Sequence, residues 1–211
     1  MHEELFAAIR AGEVERVREL VTADPELASA RGGDGLSAVL TALYHHERDV
    51  LEALLAAGPE LDVLDAAAAG RLDVLRAHLD HDQDALAART PEGFTPLHLA
   101  AFFGGAAAVR LLLAAGAAPD ADADNPPRVR PLHSATAARD HEAVRALLEA
   151  GADPDVRQQG GFTPLLSAVH NDDVKCTELL LHHGADPAQA ADDGRDPRAM
   201  AGERTRPLLD R

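Results

Sequence analysis

The histidines are the first side chains of this sequence to suggest chemistry, because imidazole is the commonest metal ligand in proteins. His45–His46 and His182–His183 are adjacent pairs, and adjacent residues point in different directions from a helix. His78 and His81 could share a helical face, but no cysteine or third histidine lies near them in sequence. A zinc site needs three or four converging protein ligands, so these spacings predict no metal site.

Two acidic runs resemble the start of a calcium-binding loop: DADADN from Asp120 and DHDQD from Asp80. Such a loop needs glycine at its sixth position and glutamate at its twelfth. Asn125 and Pro131 stand at those positions in the first run, and the second run lacks both residues as well. We therefore interpret both runs as solvated loops.

The single cysteine, Cys176, is the only thiol that could act as a nucleophile. It lies on a predicted helix close to Lys175 and Glu178, where an inert, half-buried thiol is expected. One cysteine excludes an internal disulfide and fits a reducing compartment, so we expect a cytoplasmic protein. The sequence has no glycine-rich phosphate loop and no nucleophile elbow. We therefore expect no catalytic residues and no cofactor.

The composition indicates a helical protein with an acidic surface. Hydrophobic residues make up 46% of the 211 residues, but aromatic residues only 3%, so the core must consist of alanine, leucine and valine. Alanine and leucine favour helix. The formal net charge of −16 argues against binding to nucleic acid or to an anionic membrane, both of which attract basic surfaces. The most apolar span, residues 97–119, is interrupted by His98, by two glycines and by Arg110, so it does not predict a membrane helix.

Two motifs recur in the same phase along the second half of the chain. TPLHLAA, RPLHSAT, TPLLSAV and DPRAMAG contain Pro96, Pro131, Pro164 and Pro197, at steps of 35, 33 and 33 residues. The segments LLLAAGAAPD, ALLEAGADPD and LLLHHGADPA follow the first three of them at a constant distance. In the first copy Thr95 is a good N-cap and Pro96 suits the first helical position. Each copy therefore predicts two short helices, which are stable only when stacked on neighbouring copies.

The T-P-L-H-x-A signature at a period near 33 residues resembles the ankyrin repeat, in which a β-turn finger precedes two helices. The resemblance implies an all-α solenoid of about six helix pairs and a partial C-terminal capping repeat, forming a single domain over residues 1–211. The first 90 residues carry the pattern in degraded form. The implied repeats cover approximately residues 3–33, 34–59, 60–89, 90–122, 125–157 and 158–190, with the cap at 191–211.

One repeat near residue 60 is too short. The positions that correspond to Pro96 are Ala38 and Asp62 in the preceding repeats, and they are separated by only 24 residues. The sequence between Gly58 and Leu61 leaves no room for a finger. We therefore predict a notch in the row of fingers, between the tips near Asp34 and Glu92.

The resemblance also implies a binding surface, because the fingers and the exposed ends of the first helices line a concave groove in such stacks. Five of the six aromatic residues fall at groove-facing places, and only Phe6 falls on a core face. The residues expected to bind a partner are Tyr44, His45, Phe94, Phe102, Phe103, Val129, Phe162, His170 and Asn171. A structural alternative stays open, in which Phe94 and Phe162 pack finger against finger. His98 and His133, at the fourth motif position, are expected to be structural.

The implied function is a non-enzymatic module that binds an unidentified protein partner through the groove and is a monomer on its own. Regulation or neutralisation of an enzyme encoded beside it is an expectation from fold analogy. The alternative is a small-molecule or enzymatic use of the groove, with Tyr44, His45, Phe102, Phe103 and His170 as its lining. A third reading, an acidic mimic of nucleic acid, is disfavoured because the acidic residues are scattered. The heavy use of alanine, arginine, aspartate and leucine resembles that of bacterial proteins from GC-rich genomes.

Overall fold

The computed structural model describes residues 1–82 and 84–210, and its ordered elements are helical. Within these ranges the α-helices are α1 (His2–Arg10), α2 (Val14–Ala23), α3 (Ala38–Tyr44), α4 (Arg48–Ala56), α5 (Val63–Ala68), α6 (Leu72–His81), α7 (Pro96–Leu99), α8 (Ala106–Ala114), α9 (Pro131–Ala138), α10 (His141–Glu149), α11 (Pro164–His170), α12 (Val174–His182) and α13 (Pro197–Met200). A π-helical turn, Ala100–Gly104, continues α7. None of these helices is long and apolar enough to cross a membrane.

The helices form a stack of six pairs. We number the pairs as units, from α1–α2 as unit 1 to α11–α12 as unit 6. Each first helix packs on the first helix of the next unit, and α13 packs on α11 as a partial seventh unit. The predicted all-α solenoid with a C-terminal cap is therefore confirmed.

The first helices begin as the motif predicts. Pro96, Pro131, Pro164 and Pro197 each occupy the start of a helix, where the missing N–H costs nothing. The Thr163 hydroxyl accepts a hydrogen bond from the Leu166 amide at 3.2 Å. These caps satisfy amide groups that have no partner within a short helix.

Tight turns between units form the predicted fingers. In the finger before α7, the Thr90 amide donates to the Phe94 carbonyl at 2.9 Å. Consecutive fingers are also bonded to each other, since the Asp124 amide donates to the Gly93 carbonyl at 3.2 Å. Within the described residues no strand forms, and a single β-bridge joins Arg31 to Ser37. The fingers are therefore turns linked edge to edge.

Unit 3 lacks a finger, and the chain closes the gap that was predicted as a notch. The segment between α4 and α5 makes no paired turn within the described residues; instead the Glu60 amide donates to the Ser29 hydroxyl at 2.9 Å. A Cβ atom on Gly35 would lie 3.1 Å from Cγ of Pro91, so the fingers of units 2 and 4 touch directly. The missing finger therefore agrees with the prediction, but the approach of Gly35 to Pro91 leaves no open notch between the fingers of units 2 and 4.

The core is built from small and branched residues in two clusters. One cluster fills units 1 and 2, and the other runs from unit 2 to the cap. The second helices α4 and α6 make few contacts with each other, whereas α8, α10 and α12 pack in sequence. The short unit therefore interrupts the packing of the second helices, while the second core cluster continues through it from unit 4 into unit 2.

Three apolar residues of unit 4 belong to the buried core, and one neighbouring leucine does not. Ala100, Ala101 and Leu112 are buried, whereas Leu113 is only half-buried. Leu113 follows Leu112 on α8 and is turned by about 100° from it, which directs it toward the outer face.

Asp65, on α5, is a buried carboxylate in the unit that lacks a finger. It takes the third position of its helix, which His98 occupies in unit 4, and Asp62 is the N-cap of this helix. The Ser37 hydroxyl of the preceding unit donates to Asp65, while Arg31 is paired with Asp62. Burial raises the pKa of Asp65 to about 6, and the neighbouring Asp62 carboxylate adds to the shift.

We expect Leu112→Ala to lower the free energy of unfolding by about 2–5 kcal/mol, because it leaves a cavity between units. Chemical denaturation measures this loss, and Leu113→Ala is the matched control at a half-buried site on the same helix. A loss for Leu112→Ala no larger than that for Leu113→Ala would contradict the assignment of the core.

Asp65→Asn should stabilise the protein increasingly as the pH rises from 4 to 7. A carboxyl group whose folded pKa is raised contributes stability below its unfolded pKa, and this contribution is lost as the pH passes the folded value. A shift from about 3.9 to about 6 corresponds to roughly 3 kcal/mol at neutral pH. Unfolding of wild type and variant at several pH values measures the difference. Asp49→Asn removes an exposed carboxylate as the control, and an equal pH dependence in both variants would exclude burial as the cause.

Candidate functional site

The turn that ends the first helix of unit 4 differs from the turns of its neighbours. In units 2 and 5 a left-handed residue closes the turn after the first helix: His46 has φ of 59° and Arg139 has φ of 57°. In unit 4 the helix continues as a π turn through Gly104, and the positive φ of 81° falls one residue later, at Gly105. Although glycine disfavours a helix, Gly104 remains helical. π turns of this kind are frequent at functional sites.

Gly104 is required by close packing against unit 3. A Cβ atom at this position would lie 1.9 Å from the Ala67 carbonyl oxygen, which no side chain tolerates without movement of the backbone. This approach holds the π turn against α5. It thereby sets where Phe102 and Phe103, the two residues before Gly104, leave the helix.

Phe102 and Phe103 occupy the end of the first helix, as predicted, and they point in different directions. Phe102 is 38% exposed, whereas Phe103 is half-buried. Their ring centroids lie 4.6 Å apart in an edge-to-face arrangement, and Phe103 also lies 5.6 Å from the ring of Tyr44. Tyr44 belongs to unit 2, so the contact spans unit 3, whose residues at the same helix position are Ala68 and Ala69. The small alanines leave room for the rings to meet.

These rings form one wall of a cleft of about 400 Å³ on the concave side, which we call the aromatic cleft. Its lining consists of Tyr44, His46, Phe94, His98, Leu99, Phe102, Phe103, Val129, His133, Ser134, Ala137, Gln158, Phe162 and Ser167. The set contains no aspartate, glutamate, lysine or arginine. Apolar walls with a few polar groups are typical of binding pockets.

Two histidines of the cleft are hydrogen-bonded to neighbouring parts of the protein. Nδ1 of His98 lies 2.8 Å from the Thr95 hydroxyl, and Nε2 lies 2.9 Å from the Val129 carbonyl of the next finger. Nε2 of His133 similarly lies 3.1 Å from the Phe162 carbonyl. Burial lowers the pKa of both imidazoles to about 4, so both are neutral near pH 7. These bonds agree with the structural role expected from the motif.

The Tyr44 hydroxyl is buried beside the finger of unit 4. Burial raises its pKa to about 12, with a contribution from the Glu92 carboxylate, and the nearby Thr90 hydroxyl partly offsets the shift. Within the described residues no hydrogen bond of normal geometry reaches this hydroxyl. Tyr44 therefore contributes a neutral ring to the cleft.

The structure brings together six of the nine residues predicted to bind a partner. Tyr44, Phe94, Phe102, Phe103, Val129 and Phe162 all line the aromatic cleft. His45, His170 and Asn171 are exposed and lie outside it. The ring of Phe94 lies 5.7 Å from the His98 ring of its own unit, a contact that does not test the alternative of packing between fingers.

The cleft contains polar side chains that the sequence analysis did not single out. Ser134 and Ser167 take the position that Leu99 has in unit 4, and Gln158 lies in the finger before Phe162. Aligning the repeats could have identified the two serines, because they occupy the helix position of Leu99 and therefore share its face. His46 lines the cleft where His45 was predicted, because the chain turns at His46.

A second cleft of about 520 Å³ adjoins the first and shares His46, Phe102, Phe103 and Ala137 with it. Glu47 and Arg48 also line this second cleft. Phe102 and Phe103 therefore form a ridge between two hollows on one continuous concave face.

The other residues considered for chemistry have structural partners. Nε2 of His78 lies 2.8 Å from the Leu61 carbonyl. Asp120 accepts from the Asp153 amide, and Asp122 is paired with Arg128 at 3.0 Å. The DHDQD run includes Gln83, which lies outside the described residues. In the described part of the chain no three His, Cys, Asp or Glu side chains converge as metal ligands.

Cys176 is fully buried rather than half-buried, and burial raises the pKa of its thiol to about 12. A thiol with so high a pKa has almost no thiolate near pH 7, and the thiolate is the nucleophilic form.

Comparison with known families identifies the repeats in the second half of the chain. A family model described as "Ankyrin repeats (3 copies)" matches residues 118–191, and a model described as "Ankyrin repeat" matches residues 92–124. Phe94, Phe102, Phe103, Val129 and Phe162 lie within the matched residues. No curated protein matches the sequence significantly.

Gly104→Ala should destabilise the fold by about 1–3 kcal/mol, the usual cost of overpacking. Replacing glycine by alanine in a helix normally favours the helix by about 1 kcal/mol, so a loss requires the clash with the Ala67 carbonyl. Thermal unfolding measures the effect. Gly33→Ala is the control, since a Cβ atom there would meet nothing within 4 Å. Stabilisation by Gly104→Ala would show that units 3 and 4 are not held this close.

Proposed function

Because this chain is an ankyrin repeat protein, we propose that it is a protein-binding module whose concave face, centred on Phe102 and Phe103, holds the partner. Ankyrin repeats are in general protein–protein interaction modules. The concave face of this chain has the two features that such a role requires, namely an exposed aromatic anchor and a hollow beside it.

The observation that carries the proposal is the exposure of Phe102. Among the described residues, the large hydrophobic side chains that are exposed are Phe102 and the terminal Met1. Five of the six aromatic residues of the chain line this one cleft. Exposed apolar side chains that cluster in this way often mark an interaction site.

A small-molecule site is the second candidate function. The cleft volume of about 400 Å³ falls within the range of ligand pockets, and its walls are largely apolar. A catalytic use of the cleft finds less support, because His98 and His133 are bonded to backbone carbonyls and Cys176 is buried.

We propose the cellular compartment, the oligomeric state and the regulatory role from the sequence and from fold analogy. The single cysteine supports a reducing compartment such as the bacterial cytoplasm. We infer a protein partner and a chain that is monomeric when alone. Regulation or neutralisation of an enzyme encoded beside this chain follows from fold analogy. The exposed His45, His170 and Asn171 extend the proposed surface beyond the cleft.

Phe102→Ala should weaken the partner about tenfold to hundredfold while leaving the fold nearly intact. Burying such a ring in a partner is worth roughly 1.5–3 kcal/mol, and each 1.4 kcal/mol is tenfold in affinity. The partner is first captured from the native host on the wild-type protein and identified by mass spectrometry. Its affinity and the melting temperature are then measured for Phe102→Ala, for Phe103→Ala and for the control Leu111→Ala, which is half-buried on α8.

The outcomes separate the possible binding faces. If Phe102→Ala and Phe103→Ala both unfold the protein, the rings are core residues and the groove proposal loses its main support. If neither substitution changes stability or affinity, the partner binds elsewhere, most plausibly on the acidic outer face around Glu142 and Glu149.

A further inference from the structure

The junction between units 2 and 3 is the smallest contact between neighbouring units of the stack. The first helices α3 and α5 touch less than any other neighbouring pair of first helices, and the second helices α4 and α6 make few contacts with each other. The described segment between α4 and α5 forms no finger that could bond to the finger of unit 2. The buried residues of α4 belong to the core cluster of units 1 and 2, whereas Leu36 and Leu40 join the second cluster. Units 1 and 2 are therefore joined more firmly to each other than to unit 3.

A buried carboxyl group lies in this junction. Asp65 is 3% exposed and occupies the third position of α5. The third position of the first helix is neutral in units 2, 4, 5 and 6, where it is taken by Leu40, His98, His133 and Leu166. Within the described residues the Asp65 side chain makes no ion pair and accepts one hydrogen bond, from the Ser37 hydroxyl of unit 2. This bond crosses the junction.

The charged groups around Asp65 leave it without a counter-ion. Arg31, from the finger of unit 2, is paired with Asp62, the N-cap of α5. The other elements packed against α5 add little charge, because α3 and the π turn carry no charged residue and α7 brings only the neutral His98. On α6, His78 is bonded to a backbone carbonyl and the remaining charged residues are exposed. Burying an ionised carboxylate without a counter-ion is costly, so ionisation of Asp65 weakens the junction.

The pKa of Asp65 sets the pH range of this effect. Burial raises the pKa to about 6, the Asp62 carboxylate adds to the shift, and the bond from Ser37 and the charge of Arg31 partly offset it. In an unfolded chain the pKa of aspartate is about 3.9. A carboxyl group whose pKa is raised by folding stabilises the folded state below its unfolded pKa, and this contribution is lost as the pH rises through the folded value. The junction therefore weakens between about pH 4 and pH 7.

We propose that Asp65 and Ser37 form an acid-sensitive latch between units 2 and 3: protonation of Asp65 holds units 1 and 2 on the stack, and its ionisation favours their local unfolding. Two units by themselves do not keep their helices, because at least about three stacked repeats are needed for stability. Tyr44 belongs to unit 2, so this opening takes its ring away from Phe103 and out of the lining of the aromatic cleft. The latch acts without a partner and is therefore independent of the proposed function.

Amide hydrogen exchange of the whole protein, measured by mass spectrometry from pH 4 to 7 and corrected for intrinsic exchange, tests the latch. The opening constant for amides of α1–α4 should rise by up to about a hundredfold over this range, the factor that corresponds to the change in pKa. Amides of α8 and α10 should not share the rise. Burial lowers the pKa of His98 and His133 to about 4, and this shift stabilises units 4 and 5 as the pH rises.

Two variants identify the group that titrates. Asp65→Asn should abolish the rise in α1–α4, whereas the control Asp49→Asn, which removes an exposed carboxylate on α4, should keep it. Asp62→Asn tests the same charge without altering the buried group, because asparagine is also a good N-cap. It removes a carboxylate that raises the pKa of Asp65 and leaves Arg31 without its partner, so the midpoint of the rise should move to lower pH.

Three results would overturn the latch. A rise that persists in Asp65→Asn would assign the pH dependence to another group. A midpoint that stays in place in Asp62→Asn would show that the charges at the start of α5 do not control the junction. An equal rise in α8 and α10 would show that the whole stack unfolds together rather than opening between units 2 and 3.

Discussion

The close stacking of first helices on one another is the constraint on which the rest of this structure depends. Each unit contains only two short helices, which would be marginal in water by themselves. Their stability comes from the contact between units, and that contact is tight because alanine and glycine occupy it. The approach of Gly104 to the Ala67 carbonyl is the closest example. An ordinary side chain at this position would separate units 3 and 4 and displace the π turn.

The aromatic cleft is a consequence of this stacking and of one irregular unit. Unit 3 has no finger, and its first helix ends in alanines. The fingers of units 2 and 4 therefore touch, and Tyr44 of one unit reaches the ring of Phe103 of the other. The same irregularity puts Asp65 in the buried place that His98 has in unit 4. The shortened repeat thus underlies both the buried Asp65 carboxyl group and the aromatic cleft that we propose as the binding surface.

Two buried histidines, His98 and His133, link the helices of the stack to the edge of the aromatic cleft. His98 and His133 each join the start of a first helix to the backbone of the next finger. Because both imidazole nitrogens are engaged, the residues cannot serve as ligands or bases, but they hold Val129 and Phe162 at the edge of the cleft. The residues that make the cleft rigid are therefore distinct from the residues left to contact a partner.

The sequence by itself determined the helix pairs and their register, because the T-P-L-H pattern, the caps and the glycines act locally. Helix geometry alone also implies that Phe102 and Phe103 differ in burial, since successive helical residues diverge by about 100°. Only the tertiary structure decided that the gap left by the missing finger closes, that Gly104 stays helical, and that Tyr44 meets Phe103 across unit 3. It likewise decided that Ser134, Ser167 and Gln158 line the same cleft as those rings. These outcomes depend on contacts between residues many positions apart in the sequence, and no local pattern sets the distances between them.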